Sequence, residues 1–275
     1  MTAPNVSHHE LTKEEEIWKR YNAISRTLTP EFIANIPWER LGPCPSDDFA
    51  RALMIASDVE TATYDVFFLQ QLADTPSSRD PVIAAFMRRW VSEELTHGEL
   101  LREVLRRWGF AYRYEPPRFS AWYRMGDRML HAFNNVLGSR FKAIHMIWGG
   151  INELTARETY RQLKNQTADP VINMLLGAII KEESMHANFY LNIGKAKLDA
   201  RFATSLCRVL LRYWRPVGGW NKSNTELKPV FGLFSGERLY DFERYVTQEF
   251  ERRIPALRNS GLTDILSRLV KLATA

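Results

Sequence analysis

Four glutamates and two histidines stand where amphipathic helices should carry apolar side chains. They are Glu60, Glu94, His97, Glu153, Glu183 and His186. In chain order they read Glu, Glu-x-x-His, Glu, Glu-x-x-His. Residues three apart in an α-helix lie on one side, so each Glu-x-x-His pair can bind one metal ion. A dinuclear carboxylate site takes a Glu from each of two helices and such a pair from each of two others. The pattern therefore predicts a dinuclear metal site.

The charge of this set decides whether it can be buried. Four carboxylates carry four negative charges, which two divalent cations neutralise. Without metal, each buried glutamate would cost several kcal/mol or would become protonated. Carboxylate and imidazole ligands suit iron or manganese, whereas a closed zinc site more often recruits cysteine. We therefore predict two iron ions as the cofactor, with a manganese–iron pair as the alternative.

Two further acids, Glu93 and Glu182, directly precede the glutamates of the two Glu-x-x-His motifs. Each can reach across to hold the non-coordinating nitrogen of the opposite histidine and so fix its tautomer. The alternative is that both acids are solvated on the helix flank. Sequence position leaves both interpretations open.

The remaining histidines and four aromatic residues are expected to have structural roles. Four histidines without partners at ligand spacing are assigned to the surface, the N-terminal tail or the core: His8, His9, His131 and His145. Four aromatic residues lie near the site by helical phase: Tyr64, Trp90, Tyr160 and Tyr190. Packing is favoured over a redox role for these side chains.

Helices must position the six residues, and apolar periodicity predicts where they run. Long helices are expected over about 47–73, with Ser46 or Asp47 as N-cap, over about 81–108, over about 119–165 with a break near Gly138, and over 169–197. Shorter helices are expected near the N-terminus up to about Pro30, up to about 213, and over about 235–253 and 259–272, with a loop at 215–232. No strand alternation or internal repeat is visible.

These elements predict an all-α four-helix bundle with additional flanking helices. Three regions are expected: an N-terminal helix and loop at 1–45, the bundle at 46–198, and a C-terminal helical extension at 199–275 packed on the same domain.

Composition narrows the cellular setting. The chain has 275 residues, 45% hydrophobic and 25% charged, which is typical of a globular protein with one large core. Cys44 and Cys207 form no metal spacing, and no secretory leader is visible, so a cytoplasmic location is expected. No apolar run approaches the roughly 18–20 residues of a membrane span, so integral membrane association is not expected.

The net charge of +5 favours an acidic partner. The basic residues lack the glycine and aromatic interleaving of RNA-binding sheets, so no nucleic-acid partner is expected. Candidates for receiving an acidic partner are Arg88, Arg89, Arg102, Arg106 and nearby arginines. A solvated helix face is the alternative.

The stretch "WVSEELTHGELLREVL" resembles a helix of the soluble acyl-ACP desaturases of the plant stearoyl-ACP type. Both have a Trp, an acidic pair, His-Gly and an acid-Leu-Leu in the same order. "LLGAIIKEESMHANFY" resembles the fourth ligand helix of that family, and the likeness covers about 47–197. Asp58 offers an alternative to Glu60 as first ligand, and Glu60 is preferred because Asp58 lies off the stripe through Ser57 and Tyr64.

The resemblance implies a ferritin-like di-iron enzyme, usually a homodimer. Such enzymes use O2 and electrons from ferredoxin to insert a cis double bond into an acyl chain on acyl carrier protein. It therefore implies an acyl carrier protein partner, a ferredoxin-type electron donor and a homodimer. The alternatives are a di-iron oxygenase, acting as a hydroxylase or N-oxygenase on a carrier-bound or free metabolite, and a non-catalytic ferritin-like protein that binds metal or ligand.

Three features depart from the plant enzymes. Ala156 stands where they have a threonine one turn after Glu153, and Thr155 beside it is an imperfect substitute. Glu182 replaces an expected aspartate. The chain is also shorter on its N-terminal side and differs in its C-terminal third, so the metal site is predicted more firmly than the reaction.

Overall fold

A computed structural model of the chain describes residues 11–63, 69, 73, 75–111, 136–198, 201–211, 224–233, 243–262, 264 and 267. The regular elements in this part of the chain are helices, and it contains no strand. The predicted all-α class is therefore confirmed. The finer prediction of a ferritin-like four-helix bundle stays a prediction, as do the three regions.

The α-helices are, in chain order, α1 (Lys13–Asn22), α2 (Pro30–Ala34), α3 (Asp47–Ala62), α4 (Pro81–Arg107), α5 (Ser139–Lys164), α6 (Pro170–Lys197), α7 (Arg201–Leu211), α8 (Asn224–Gly232) and α9 (Glu249–Arg253). Short 3₁₀ turns lie at Trp38–Arg40, Pro76–Arg79 and Pro255–Leu257, and a π-helical segment at Arg244–Gln248 leads into α9. Among the described residues, no helix is both long and apolar enough to cross a membrane.

The long helices begin at side-chain caps that the sequence encodes. Ser46 accepts a hydrogen bond from the amide of Phe49 at the start of α3, which confirms one of the two predicted N-caps. An Asp-Pro pair starts both helices that carry a Glu-x-x-His motif. Asp80 and Asp169 each accept from two amides of the first turn, and a proline follows at the position that needs no donor.

Glycines let the helices approach closely beside the six residues. A methyl group on Gly98 would collide with the Thr61 hydroxyl on α3, so the His-Gly sequence lets α4 pack against α3. On α5, Gly149 lies against the ring of Tyr190, a residue of α6. Gly149 thus leaves room for a side chain of α6 against the backbone of α5.

Some predicted helix boundaries differ from the structure. The first helix ends at Asn22, and Pro30 instead begins α2, because the amides of Thr27 and Leu28 bind a carboxylate on α6. The prediction of a loop over 215–232 is wrong for residues 224–232, which form α8 although they include Pro229. Packing of the buried Leu227 and Leu233 against the core outweighs that helix breaker.

α3 ends at Ala62, earlier than the predicted end near 73, whereas α4 and α6 match the helices predicted over about 81–108 and 169–197. The break near Gly138 is confirmed, since this residue has a φ of 56° and precedes α5. Gly109, at φ 84°, follows the end of α4. Residues 64–68, 112–135, 234–242 and 268–275 lie outside the described residues, and so do the predicted helical stretches that fall on them.

Candidate metal centre

The structure brings all six predicted residues together. Glu60 comes from α3, Glu94 and His97 from α4, Glu153 from α5, and Glu183 and His186 from α6, and every one is at most 5% exposed. They form two overlapping groups whose ligand atoms lie within 4.8 Å of one another. The Glu60 position comprises Glu60, Glu94, His97 and Glu183, and the Glu153 position comprises Glu94, Glu153, Glu183 and His186. Each group can hold one metal ion.

Both imidazole rings turn the same nitrogen towards the carboxylates. Nδ1 of His97 lies 3.1 Å from Glu183 Oε1, and Nδ1 of His186 lies 2.9 Å from Glu94 Oε1. These two nitrogens have no partner with hydrogen-bond geometry in the described part of the chain, nor do Glu94 Oε1 and the two Glu183 oxygens. Buried polar atoms in native proteins are nearly always hydrogen-bonded. Convergent, unsatisfied nitrogen and oxygen donors fit metal ions.

The other nitrogen of each ring is held by an acid on the opposite helix. His97 Nε2 lies 3.0 Å from Glu182 Oε2, and His186 Nε2 lies 2.8 Å from Glu93 Oε2. Glu93 and Glu182 are fully buried. The predicted crossed hydrogen bonds are confirmed, and the solvated alternative is wrong. This arrangement keeps a proton on Nε2 and leaves the Nδ1 lone pair for a metal.

The end of α1 and the segment that follows it, residues 21–28, support these two acids. Glu182 Oε1 accepts hydrogen bonds from the amides of Thr27 (2.7 Å) and Leu28 (2.8 Å). Glu93 accepts from the hydroxyl of Tyr21 (3.0 Å). Arg26 also pairs with Glu93, at 3.4 Å. Sequence reasoning missed this contribution because nothing in residue spacing links 21–28 to helices more than sixty residues away.

Arg89 also supports the site, a role that was not predicted from the sequence. Its Nε donates to Glu93 Oε1 at 2.7 Å, and its other nitrogens reach the carbonyls of Tyr21 and Ile24. The four-residue spacing from Arg89 to Glu93 on one helix is a signal that could have predicted the pair. Arg89 therefore acts inside the protein, as does Arg102, which donates to the Thr61 hydroxyl.

Arg89 and Arg102 are half-buried and make these contacts within the protein, and the surface for an acidic partner stays a prediction. Arg88 is exposed, and Arg106 is exposed and paired with Glu103. Arg113, Arg118, Arg124 and Arg128 lie outside the described residues.

Two aromatic side chains donate to the terminal carboxylates of the cluster. The hydroxyl of Tyr160 makes a short hydrogen bond to Glu60 Oε1, and the indole Nε1 of Trp90 donates to Glu153 Oε1 at 3.1 Å. The hydroxyl of Tyr190 instead faces the sulfur of Met87. Two of the predicted aromatic residues thus bind the cluster directly, which the packing interpretation did not include. Tyr64 lies outside the described residues.

Burial and mutual repulsion favour protonation of three of the four cluster carboxylates, whereas the neighbouring imidazoles lower the pKa of Glu183. Burial raises the pKa of Glu60, Glu94 and Glu153, and repulsion among the carboxylates raises it further. Burial opposes ionisation of His97, but its hydrogen bond to Glu182 and the nearby carboxylate of Glu183 raise its pKa to about 9. Cations at the two positions would remove both the repulsion and the need for these protons.

The remaining candidates lie elsewhere. Asp58, the alternative first ligand, belongs to neither group, so the geometry favours Glu60. His145 is a half-buried histidine that lies 2.8 Å from Ser77 Oγ, and desolvation lowers its pKa to about 4. His8, His9 and His131 lie outside the described residues. The hydroxyl of Thr155 donates to the Ile151 carbonyl of its own helix, so it does not replace the hydroxyl missing at Ala156.

No protein-family model matches the chain, and a comparison with curated proteins finds no match. The resemblance to acyl-ACP desaturases stays a prediction. The six buried residues are therefore the observation that bears on function.

Proposed function

We propose that the protein is an O2-dependent, non-haem di-iron oxidoreductase acting on an acyl chain, with desaturation on acyl carrier protein as the preferred reaction. One observation carries the proposal: two overlapping groups of three carboxylates and one imidazole share Glu94 and Glu183 in a fully buried cluster. Four carboxylate charges match two divalent cations, and Nδ1 of both histidines faces inwards. Iron bound there would supply reduction of O2 and oxidation of an unactivated C–H bond.

The side chains of this protein would divide the remaining work. Glu94 and Glu183 lie between the two positions and can bridge them, while Glu60 and Glu153 are each terminal to one position. Glu93 and Glu182 hold the imidazole rings in the orientation that directs Nδ1 inwards. Apolar residues of α3 to α6 exclude water around the cluster, which strengthens every charge interaction within it.

The oxygenase alternative retains support from one observation. The plant enzymes that the sequence resembles have a threonine hydroxyl where this chain has Ala156, and the Thr155 hydroxyl is bonded to its own helix. A different set of groups next to Glu153 would favour a different fate for the oxidised substrate. Insertion of oxygen into a carrier-bound or free metabolite is therefore the second candidate reaction.

Product analysis separates the two reactions. The full chain, loaded with Fe(II), is supplied with a reductase and ferredoxin, isotopically labelled O2 and acyl carrier proteins bearing chains of different length. Desaturation predicts a product two hydrogens lighter without the label, whereas oxygenation predicts one labelled oxygen atom. A matched Glu94→Gln variant controls for background oxidation. Absence of any oxidised product on carrier-bound and free acyl substrates would contradict the proposal of an acyl-chain oxidoreductase.

A further inference from the structure

The two metal positions have the same ligand types but different surroundings. Each has three carboxylates and one imidazole, and each terminal carboxylate receives one hydrogen bond from a neutral aromatic donor, Tyr160 on Glu60 and Trp90 on Glu153. The inner shells are therefore balanced in charge. The main difference in charge between the two positions lies in the groups that bind the outer nitrogen of each histidine.

Those groups differ in charge. Behind His97, the carboxylate of Glu182 is bound by two backbone amides, which are neutral donors and leave its negative charge in place. Behind His186, Glu93 is paired with the guanidinium groups of Arg89 at 2.7 Å and Arg26 at 3.4 Å. The groups that bind His97 Nε2 therefore carry a net charge of about −1, from Glu182 alone. The groups that bind His186 Nε2 carry a net charge of about +1, from Glu93 and two arginines.

Arg102 is the cation to consider on the other side, because it reaches α3 next to Glu60. Its Nη2 donates to the Thr61 hydroxyl at 2.8 Å, and within the described residues it makes no ion pair with a carboxylate of the cluster. Its side chain is also half-buried, so solvent screens part of its charge. Arg89 and Arg26 instead act directly on a carboxylate that binds a ligand histidine.

We infer that the Glu60 position binds a divalent ion more tightly than the Glu153 position and fills first, an inference that rests on the proposed dinuclear metal site. A carboxylate that keeps its charge makes the imidazole it binds a stronger donor, whereas one compensated by two guanidinium groups does so less. Charges are weakly screened in a buried site. Groups in this outer layer typically change metal affinity by about ten- to a hundredfold, which is the ratio expected between the two positions.

Two matched variants isolate the positions. Glu153→Gln replaces the carboxylate that belongs only to the Glu153 position, and Glu60→Gln replaces the carboxylate that belongs only to the Glu60 position. Mn(II) alone is the probe, titrated into the metal-free full chain while the signal of free Mn(II) is followed by electron paramagnetic resonance. The dissociation constant for one Mn(II) ion should be at least about tenfold lower in Glu153→Gln than in Glu60→Gln. Equal affinities, or the reverse order, would overturn the inference.

A change of outer charge provides an independent test. Arg26→Gln removes one guanidinium from Glu93, and because the Arg26 side chain is 31% exposed, the substitution leaves the core filled. Combined with Glu60→Gln it should tighten Mn(II) binding several-fold, and combined with Glu153→Gln it should have a much smaller effect. The same effect in both backgrounds would overturn the inference. Failure of the wild-type chain to bind two ions would instead refute the proposed metal site.

Discussion

His186 and Glu93 lie on different helices, yet Nε2 of the imidazole is 2.8 Å from Oε2 of the carboxylate. The same relationship joins His97 on α4 to Glu182 on α6. Each helix that carries a Glu-x-x-His motif thus also orients the histidine of the other. The acid before each motif glutamate is therefore part of the site and not of the helix surface.

Replacing Glu93 by Gln should weaken binding of divalent metal by about ten- to a hundredfold. The amide no longer offers the charged acceptor that keeps a proton on Nε2 of His186, so the ring loses its preferred orientation and tautomer. Fe(II) or Mn(II) titration of the metal-free chain measures the change. Glu103→Gln is the matched control, since this acid is on the same helix and pairs with Arg106 and Arg107 on the surface. Wild-type affinity in Glu93→Gln would show that the pair does not support a metal ligand.

The stabilisation that metal gives should grow as pH rises. The raised pKa values of Glu60, Glu94 and Glu153 stabilise the metal-free fold fully below their ordinary value of 4.5, and that contribution is lost as pH rises towards their values in the fold. His97, with its pKa raised to about 9, acts in the same direction above its ordinary value of 6.5. Metal ions take the place of these protons.

Thermal melting with and without metal checks this pH dependence. The difference in Tm between the loaded and the metal-free chain should widen between about pH 5 and pH 8. The lowered pKa of Glu93, about 2, affects stability only below this window. A difference that stays constant or narrows with rising pH would contradict proton displacement by metal.

Gly98→Ala should lower the free energy of unfolding by about 1–3 kcal/mol, because the new methyl group would collide with the Thr61 hydroxyl and lie 3.2 Å from the Ser57 carbonyl oxygen. Gly177→Ala on α6 is the matched control, since its methyl group would meet only the Lys164 amine at 3.4 Å. That control should be neutral or gain about 0.5–1 kcal/mol from helix propensity. Urea denaturation compares the two, and equal effects would show that α3 and α4 do not depend on the glycine.

Tyr160→Phe should destabilise the protein by about 1–3 kcal/mol, because it removes the hydroxyl that donates to the buried Glu60 carboxylate. Tyr190→Phe is the matched control. This tyrosine is equally buried, but its hydroxyl contacts the Met87 sulfur at 3.7 Å, a weak acceptor. Denaturation of the two metal-free variants measures the difference. A loss in Tyr190→Phe as large as in Tyr160→Phe would mean that the bond to Glu60 adds no stability.

Local rules explain which features the sequence could predict. The three-residue spacing of Glu94 and His97 fixes them on one side of a helix, and the charge of the set required compensation wherever it was buried. Asp-Pro at the start of α4 and α6, and Gly109 after α4, likewise act within a few residues. All six cluster residues could therefore be selected from their phase and chemical type.

Long-range contacts explain what the sequence could not predict. The amides of Thr27 and Leu28 bind Glu182 more than 150 residues away, and backbone amides carry no residue-type signal. Pro229 locally disfavours a helix, but residues around it form α8 because Leu227 is buried against the core. Such features depend on tertiary packing, which competes with local propensity and is absent from any short window.

Metal content of the purified full-length chain tests the central claim most directly. Elemental analysis after loading with Fe(II) should give about two ions per chain. Glu94→Ala should lose most of both, because Glu94 belongs to both positions, whereas Glu99→Ala, an exposed acid on the same helix, should bind the wild-type amount. A wild-type chain that retains no iron or manganese, or a Glu94→Ala chain that retains two ions, would contradict the assignment of this cluster as a dinuclear metal site.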